Sequence, residues 1–126
     1  MKFLLADSDS IRSRSIRTIL SAMGHKAGDV DSVEDGESAI NALKRKKFDV
    51  AIVSADLSKM DGITVIKEMR ASMALKSLPA ILLSSQPSRE LVIEAMSSGA
   101  SSFLGHPCSV ADLEDALGQA LRKKKA

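Results

Sequence analysis

A serine stands where the pattern of this chain calls for a carboxylate. The segment Phe48–Ser54 is predicted to form a buried strand that ends on Ser54, and Met60-Asp61-Gly62 opens the following helix. In open α/β folds, ligands bind in the crevice outside the carboxyl ends of the strands. Ser54 is therefore expected at the position where such a fold does its chemistry, and a hydroxyl group there in place of an acid limits what that chemistry can be.

Other side chains that could do chemistry follow the remaining apolar runs. The cluster Asp7-Ser8-Asp9 comes directly after the first run, and His106 comes near the end of the chain. Asp7 and His106 together suggest a metal or acid–base site, but no cluster of ligands accompanies them to favour zinc. His25, the other histidine, is predicted to lie in a distant turn. No nucleophile–base pair is evident, so the chain is not expected to be an independent enzyme.

The elements that must position these side chains alternate regularly along the chain. Short, continuous apolar runs predict strands that are buried on both faces, and amphipathic stretches between them predict helices. This alternation predicts a parallel sheet covered by helices on both sides, joined by right-handed crossovers. The predicted strands are 3–6, a weak strand within 27–33, and 50–53, 80–83 and 102–104.

Composition sets limits on the function. The 126 residues are enough for one domain, 1–126, with a core of 2–121 and a basic tail at 122–126. A net charge of +2, with three Phe and no Trp or Tyr, argues against a nucleic-acid partner. The single cysteine, Cys108, fits a reducing compartment. Because no apolar run is long enough to span a membrane, membrane insertion is not expected, and the expected location is the cytoplasm.

Several landmarks, taken in order, resemble a response-regulator receiver domain, the phosphorylatable half of two-component signalling. The resemblance covers residues 2–121 and departs from the family pattern at 24–35, which is slightly longer than usual. It implies a flavodoxin-like (βα)5 doubly wound parallel sheet with strand order 2-1-3-4-5. The landmarks are the acidic cluster after the first strand, Asp35-Gly36, Met60-Asp61-Gly62, Ser84-Ser85, Gly99-Ala100 and Pro107.

The family's chemistry, carried over by resemblance, needs five groups at the carboxyl ends of the strands. Two acids hold Mg²⁺, an aspartate after the third strand accepts the phosphoryl group, and a hydroxyl and a lysine bind its oxygens. Here Asp7 and Ser84 match their positions. The second acid is replaced by Ser8, the acceptor by Ser54, and the lysine by His106.

These replacements predict a degenerate phosphorylation pocket. Ser54 cannot form an acyl phosphate, and a magnesium site that keeps one carboxylate is expected to be weak. A mostly neutral His106 cannot supply a fixed positive charge, although its protonated form could do so at mildly acidic pH. No cofactor is therefore expected. Mg²⁺ would bind only if the pocket retained function, with Asp7 and Asp9 as weak ligands.

Alternatives for single residues remain open. Asp56 could serve as a relocated acceptor, and Ser54 could be phosphorylated by a kinase, but Ser54 is expected to be a small hydrogen-bonded filler. Phe103 occupies the family's aromatic switch position, where plain packing is the simpler expectation. A packed side chain is also the expectation for Cys108. The positive charges of helix one are expected to be solvated: Arg12, Arg14 and Arg17.

We therefore interpret the chain as an atypical receiver, a pseudo-receiver that acts as a phosphorylation-independent protein–protein interaction module in bacterial signal transduction. The resemblance places contacts with signalling proteins on 87–96, 102–104 and 110–121, the face of helix four, strand five and helix five, and leaves a homodimer possible. One alternative is a receiver that is still phosphorylated on Asp56 with Mg²⁺. The other is a domain that binds a small molecule or nucleotide in the same crevice; the absence of a glycine-rich phosphate loop disfavours it.

Overall fold

The chain folds into five strands and five helices in strict alternation. The computed structural model describes residues 1–125, with side chains through Arg122, so most of the predicted basic tail lies outside the described side chains. A short 3-10 turn, Ala27–Asp29, lies in the stretch that is longer than the family pattern. The elements are β1 Phe3–Ala6, α1 Ser10–Ala22, β2 Val30–Val33, α2 Gly36–Arg45, β3 Val50–Ser54, α3 Gly62–Ala71, β4 Ala80–Ser84, α4 Arg89–Ser98, β5 Ser102–Gly105 and α5 Val110–Lys125.

The strands form one parallel sheet in the order β2-β1-β3-β4-β5, which confirms the predicted topology. Ala6 is level with Val33 on one side and with Val53 on the other. On the far side of β3, Ser54 is level with Leu83. The carboxyl ends of all five strands therefore meet at one edge, which we call the carboxyl edge of the sheet.

The sheet separates two apolar cores. Alternate residues of each strand point to opposite faces, so Leu4 enters one core while Phe3 and Leu5 enter the other. The first core lies under α2, α3 and α4, and the second lies under α1 and α5. Burial on both faces explains why the three inner strands, β1, β3 and β4, are apolar runs without alternation.

Side-chain caps start the helices at the carboxyl edge. The carboxylate of Asp9 accepts hydrogen bonds from the backbone N–H groups of Ile11 and Arg12, which begins α1. Asp35 and Asp61 cap α2 and α3 in the same way, and Ser88 caps α4. Each cap is worth about 0.5–2 kcal/mol to its helix. Three carboxylates at this edge, those of Asp9, Asp35 and Asp61, therefore serve as helix caps.

Two glycines allow the β3–α3 loop to lie close to its neighbours. A Cβ on Gly62 would lie 2.2 Å from the carbonyl oxygen of Ser54, and one on Gly36 would lie 2.0 Å from that of Met60. The backbone N–H of Gly36 also donates to the carbonyl of Ser58 at 3.1 Å. The Asp-Gly landmarks in the sequence therefore reflect close backbone approaches.

Across the described residues, the helices fall short of the length and apolar character that a membrane-spanning helix needs.

Candidate functional site: an arginine in the receiver pocket

Asp7 lies at the centre of the site. It follows β1 directly, and its side chain has 0% exposed surface. Because β1 lies between β2 and β3, this carboxylate is adjacent to the end of β3, where Ser54 is fully buried. The backbone N–H of Asp9 donates to Asp7 Oδ1 at 2.9 Å. One hydrogen bond from the backbone does not offset the burial of a full charge, so Asp7 needs a cationic partner.

That partner is Arg12, which reaches back from the first turn of α1. Its Nε donates to Asp7 Oδ2 and its Nη2 donates to Asp7 Oδ1, both at 2.7 Å. Only 5% of the Arg12 side chain is exposed. Two parallel hydrogen bonds of this kind form the bidentate arrangement that gives arginine–carboxylate pairs their strength and orientation. The expectation that Arg12 is a solvated charge is therefore wrong.

The same guanidinium contacts the groups that follow β3 and β4. Arg12 Nη2 donates to Ser54 Oγ at 2.8 Å and to Asp56 Oδ1 at 2.7 Å. Its Nη1 donates to Ser85 Oγ at 3.1 Å. The hydrogen bond to Asp7 raises the pKa of Arg12 above its ordinary value, and Asp56 adds to this rise. The guanidinium is thus a permanent cation that joins α1 to three neighbouring segments of the carboxyl edge.

Asp56 lies on the solvent side of this cation. Its side chain is 69% exposed, and its Oδ1 accepts a hydrogen bond of 2.6 Å from the Ser54 hydroxyl. That hydrogen bond lowers the pKa of Asp56, and the hydrogen bond and charge of Arg12 lower it further. Asp7 and Asp56 therefore both contact the same positive charge, and that charge is the Arg12 guanidinium.

Two more residues of the predicted pocket face away from this centre. The Ser8 hydroxyl donates to the carbonyl of Glu34 at 2.6 Å and accepts from the backbone N–H of Ser58 at 3.1 Å. It therefore connects the loops that follow β2 and β3. Asp9, a predicted weak metal ligand, is the N-cap of α1.

The hydroxyl of Ser84, the last residue of β4, makes only local contacts. Ser84 is 7% exposed, and its Oγ accepts from the backbone N–H of Gln86 at 3.1 Å. Its carbonyl accepts from the backbone N–H of His106 at 2.8 Å, which ties the end of β4 to the end of β5. The neighbouring Ser85, rather than Ser84, contacts the Arg12 guanidinium.

His106 belongs to a different part of the surface. It lines a groove of about 360 Å³ between β5 and α5, together with Phe103, Asp112 and Asp115. Its Nε2 is buried and finds no hydrogen-bond partner within residues 1–122. Phe103 is half-buried and also packs against the core under α4. Cys108 is half-buried, and its burial raises the pKa of its thiol, which fits an unreactive packed side chain.

The pocket does not fit a divalent cation well. Both oxygens of Asp7 already bind the Arg12 guanidinium, and an added Mg²⁺ would be repelled by that fixed positive charge. Within the part of the chain that the structure describes, His, Cys, Asp and Glu form no group of three or more able to hold a metal ion. The oxygen atoms of Asp7, Ser54 and Asp56 all accept hydrogen bonds from the guanidinium of Arg12.

The spacing of α1 contains a signal for the buried position of Arg12. Ile16 and Leu20 form the buried stripe of α1, and Arg12 extends that stripe by one turn at the same spacing. A charge on the buried face of a helix, directly beneath an acidic cluster, predicts an internal ion pair. Composition alone had favoured a solvated charge.

The order of the sheet and the cluster of polar groups at its carboxyl edge define the class of receiver-like α/β domains. Residues 3–118 match the family described as response regulator receiver domain. Chemotaxis protein CheY-3 of Vibrio cholerae is 30% identical over 117 residues, which cover 93% of this chain and 88% of the relative.

Solved structures of response regulators have a fold similar to that of this chain. A candidate response regulator from Chloroflexus aurantiacus has a TM-score of 0.88 at 24% identity, over 96% of this chain and 97% of the other. The chemotaxis response regulator CheY4 of Vibrio cholerae has a TM-score of 0.81 at 27% identity, over 94% and 97% of the two chains. The chain belongs to the response-regulator receiver domain family, the signalling modules of two-component systems.

Proposed function

We propose that this receiver domain acts in the cytoplasm as a protein–protein interaction module whose pocket works without aspartyl phosphorylation. The observation that carries the proposal is the Arg12 guanidinium, which binds both oxygens of Asp7 and the hydroxyl of Ser54. Aspartyl phosphorylation needs an acceptor carboxylate, and it is assisted by a metal ion that neutralises the developing charge. In support of the proposal, Ser54, the residue that the resemblance aligns with the acceptor, is an alcohol, and Arg12 binds the carboxylate that would hold the metal.

This arrangement supports a domain that keeps one conformation. A two-state switch responds to a ligand only through different affinities for the two states. The Arg12 network joins β1, β3, the loop after β4 and α1, and its charge does not depend on a nucleotide, a metal or a phosphoryl donor. Its partner would then recognise the fixed state.

The partner surface that we propose is the face of α4, β5 and α5. Ile93 and Met96 on α4 are 59% and 37% exposed, and Val110 at the start of α5 is 37% exposed. The groove that holds Phe103 and His106 lies between the same elements. Exposed apolar side chains beside a groove are typical of a binding surface. A second copy of the chain or another signalling protein could occupy it, and the domain would act by binding, without catalytic turnover.

The first test is a phosphate mimic. We expect beryllofluoride with Mg²⁺ to leave the amide NMR signals of Asp56 and Phe103 unchanged, and acetyl phosphate to add no phosphoryl group detectable by mass spectrometry. A receiver that carries an aspartate at the position of Ser54 serves as the positive control. Saturable shifts in this chain would contradict the proposal.

A second candidate has one observation in its favour: Asp56 is exposed beside the pocket, where a phosphodonor could reach it. The variant Asp56→Asn separates the two candidates. If wild-type protein gains a phosphoryl group and the variant does not, Asp56 is a relocated acceptor and the proposal fails.

The second test addresses the surface. Pull-downs from the source cells with wild-type protein are compared with Ile93→Arg, and Ile11→Arg is the control because Ile11 is 79% exposed on α1. We expect wild-type protein and Ile11→Arg to capture the same partner and Ile93→Arg to lose it. If the partner is a second copy of the chain, sedimentation experiments should show self-association that is lost only in Ile93→Arg.

A further inference from the structure

A run of four positive side chains lies at the opposite end of the sheet from the Arg12 pocket. Lys44 and Arg45 are in the last turn of α2, and Lys46 and Lys47 follow in the loop to β3. All four are exposed. Because helices run antiparallel to the strands in this fold, the end of α2 lies at the amino edge of the sheet. Anything bound here would leave the Arg12 pocket free.

These cations surround a cavity of about 440 Å³, which we call the basic cavity. Its other walls are mostly apolar, and no acidic residue lines it. A volume of this size falls within the range of about 300–1,000 Å³ that is usual for ligand pockets. The remaining lining residues are Leu43, Phe48, Ala74, Leu75, Ser77 and Leu78.

One wall of the basic cavity is held in place by Arg70. The half-buried guanidinium donates to the carbonyls of Lys76 at 3.1 Å and Leu78 at 2.8 Å, and to that of Leu75 at 3.2 Å. Its Nε also donates to the carbonyl of Gly99 at 2.8 Å. The loop between α3 and β4 is therefore fixed to Gly99 at the end of α4, and this wall of the cavity is held without a ligand.

The positive charge is only partly used within the chain. Lys46 pairs with Asp31, and its ammonium lies 5.8 Å from the centre of the Phe48 ring. Lys44, Arg45 and Lys47 form no salt bridge with any described residue. Cations in the last turn of a helix complement its dipole, which accounts for Lys44 and Arg45. The helix dipole does not account for Lys47, which lies outside α2, and it does not account for the apolar walls of the cavity.

We propose that the basic cavity binds an acidic segment of a protein partner, with one large apolar side chain inserted between Phe48 and Leu78. Asp and Glu side chains of the segment would pair with Lys44 and Lys47, which gives charge complementarity at the rim. The apolar side chain would supply burial at the centre. This surface goes beyond the face of α4, β5 and α5 and does not depend on how the Arg12 pocket behaves.

A protein segment fits these features better than other anionic partners. A lipid bilayer would satisfy the exposed cations, but its flat surface would not reach the buried side chains of Leu43 and Leu75 that line the cavity. Single-stranded nucleic acid needs aromatic platforms, and Phe48 is the one aromatic residue that lines the cavity, with Lys46 already over its ring.

The proposal is tested by fluorescence anisotropy at low ionic strength with a labelled peptide of glutamates around a single leucine. We expect saturable binding. The double variant Lys44→Glu/Lys47→Glu should weaken it roughly tenfold or more, since two attractive pairs become repulsive. The matched control is Arg14→Glu/Arg17→Glu, which makes the same charge change at exposed positions of α1 and should bind nearly as wild type. Replacing the peptide's leucine with serine should weaken binding about tenfold.

Two further measurements do not rest on a loss of binding. In wild-type protein, the peptide should shift the amide signals of Phe48 and of 74–78. A peptide of lysines around leucine should bind Lys44→Glu/Lys47→Glu better than wild type. The proposal is overturned if the two double variants lose affinity equally, if the serine peptide binds as well as the leucine peptide, or if vesicles of anionic lipid bind and the acidic peptide does not.

Discussion

Arg12 and Asp7 form two parallel hydrogen bonds of 2.7 Å in the interior of the carboxyl edge. The carboxylate has 0% exposed surface and the arginine side chain 5%. In a receiver pocket built for Mg²⁺, acidic side chains would gather around an exchangeable ion. Here the positive charge is covalently attached to the chain, and it can leave only if α1 moves. This relationship carries the first two predictions.

Truncation of Arg12 should destabilise the domain strongly. Arg12→Ala would leave Asp7 buried and unpaired, and removal of one partner of a buried pair costs about 3–5 kcal/mol. Urea denaturation measures the loss in the free energy of unfolding. Arg14→Ala is the control, because Arg14 is an exposed residue on the same helix and should change stability by less than about 0.5 kcal/mol. Equal losses in the two variants would show that the Arg12–Asp7 pair contributes nothing.

Mg²⁺ should bind only after the pocket is rebuilt. In wild-type protein, we expect millimolar Mg²⁺ to leave the melting temperature unchanged. The variant Ser8→Asp/Arg12→Ser/Ser54→Asp replaces the guanidinium with oxygen ligands, so Mg²⁺ should stabilise it in proportion to RT ln(1 + [Mg²⁺]/Kd). Thermal unfolding with and without the ion provides the measurement. Stabilisation of the wild type would mean that Arg12 does not compete with the metal.

The pKa of Asp56 should depend on the Ser54 hydroxyl. The hydrogen bond from Ser54 is the largest cause of the lowered pKa of Asp56, so Ser54→Ala should raise this pKa, although the hydrogen bond and charge of Arg12 would still act to lower it. Carbon-detected NMR titration of the carboxyl group gives the pKa directly. Asp35 is the internal control, because its pKa is lowered mainly by the backbone N–H of Ser38 and should not move. An unchanged Asp56 pKa would contradict the assignment.

The sign of the corresponding pH effect follows from the direction of this shift. The folded-state pKa of Asp56 lies below the unfolded value. Its contribution to stability is therefore fully present above the unfolded pKa and is lost as the pH falls through the folded pKa. Acid denaturation of Asp56→Asn should show less of this loss than wild type.

Gly62 should not tolerate a side chain. A Cβ there would lie 2.2 Å from the carbonyl oxygen of Ser54, so Gly62→Ala should displace the start of α3 and cost about 1–3 kcal/mol. Gly28→Ala is the matched control, because a Cβ at Gly28 meets no atom within 4 Å. Thermal unfolding of the two variants should differ clearly. A neutral Gly62→Ala would show that the loop between β3 and α3 can yield.

The fold could be predicted because its signals are local. Continuous apolar runs predicted β1, β3 and β4 nearly to the residue: 3–6 agrees with Phe3–Ala6, and 50–53 and 80–83 are each extended by one serine. The weak strand within 27–33 resolves to Val30–Val33, preceded by the 3-10 turn. Gly99 ends α4 with φ of 109°, as its position after the apolar stripe indicates. Strand order followed from the resemblance and from the handedness of crossovers.

The sequence by itself therefore determined the scaffold and the presence of a hydroxyl side chain, Ser54, at the end of β3, because both depend on residue types along single elements. Only the tertiary structure decided that Arg12 fills the pocket, that His106 turns into the groove beside α5, and that Lys44 and Lys47 surround an apolar cavity. The physical reason is that a long side chain is directed by what packs around it. Ser54 and Ser85, two of the groups that hold the Arg12 guanidinium, are distant from it in the sequence, so no local pattern indicates those contacts.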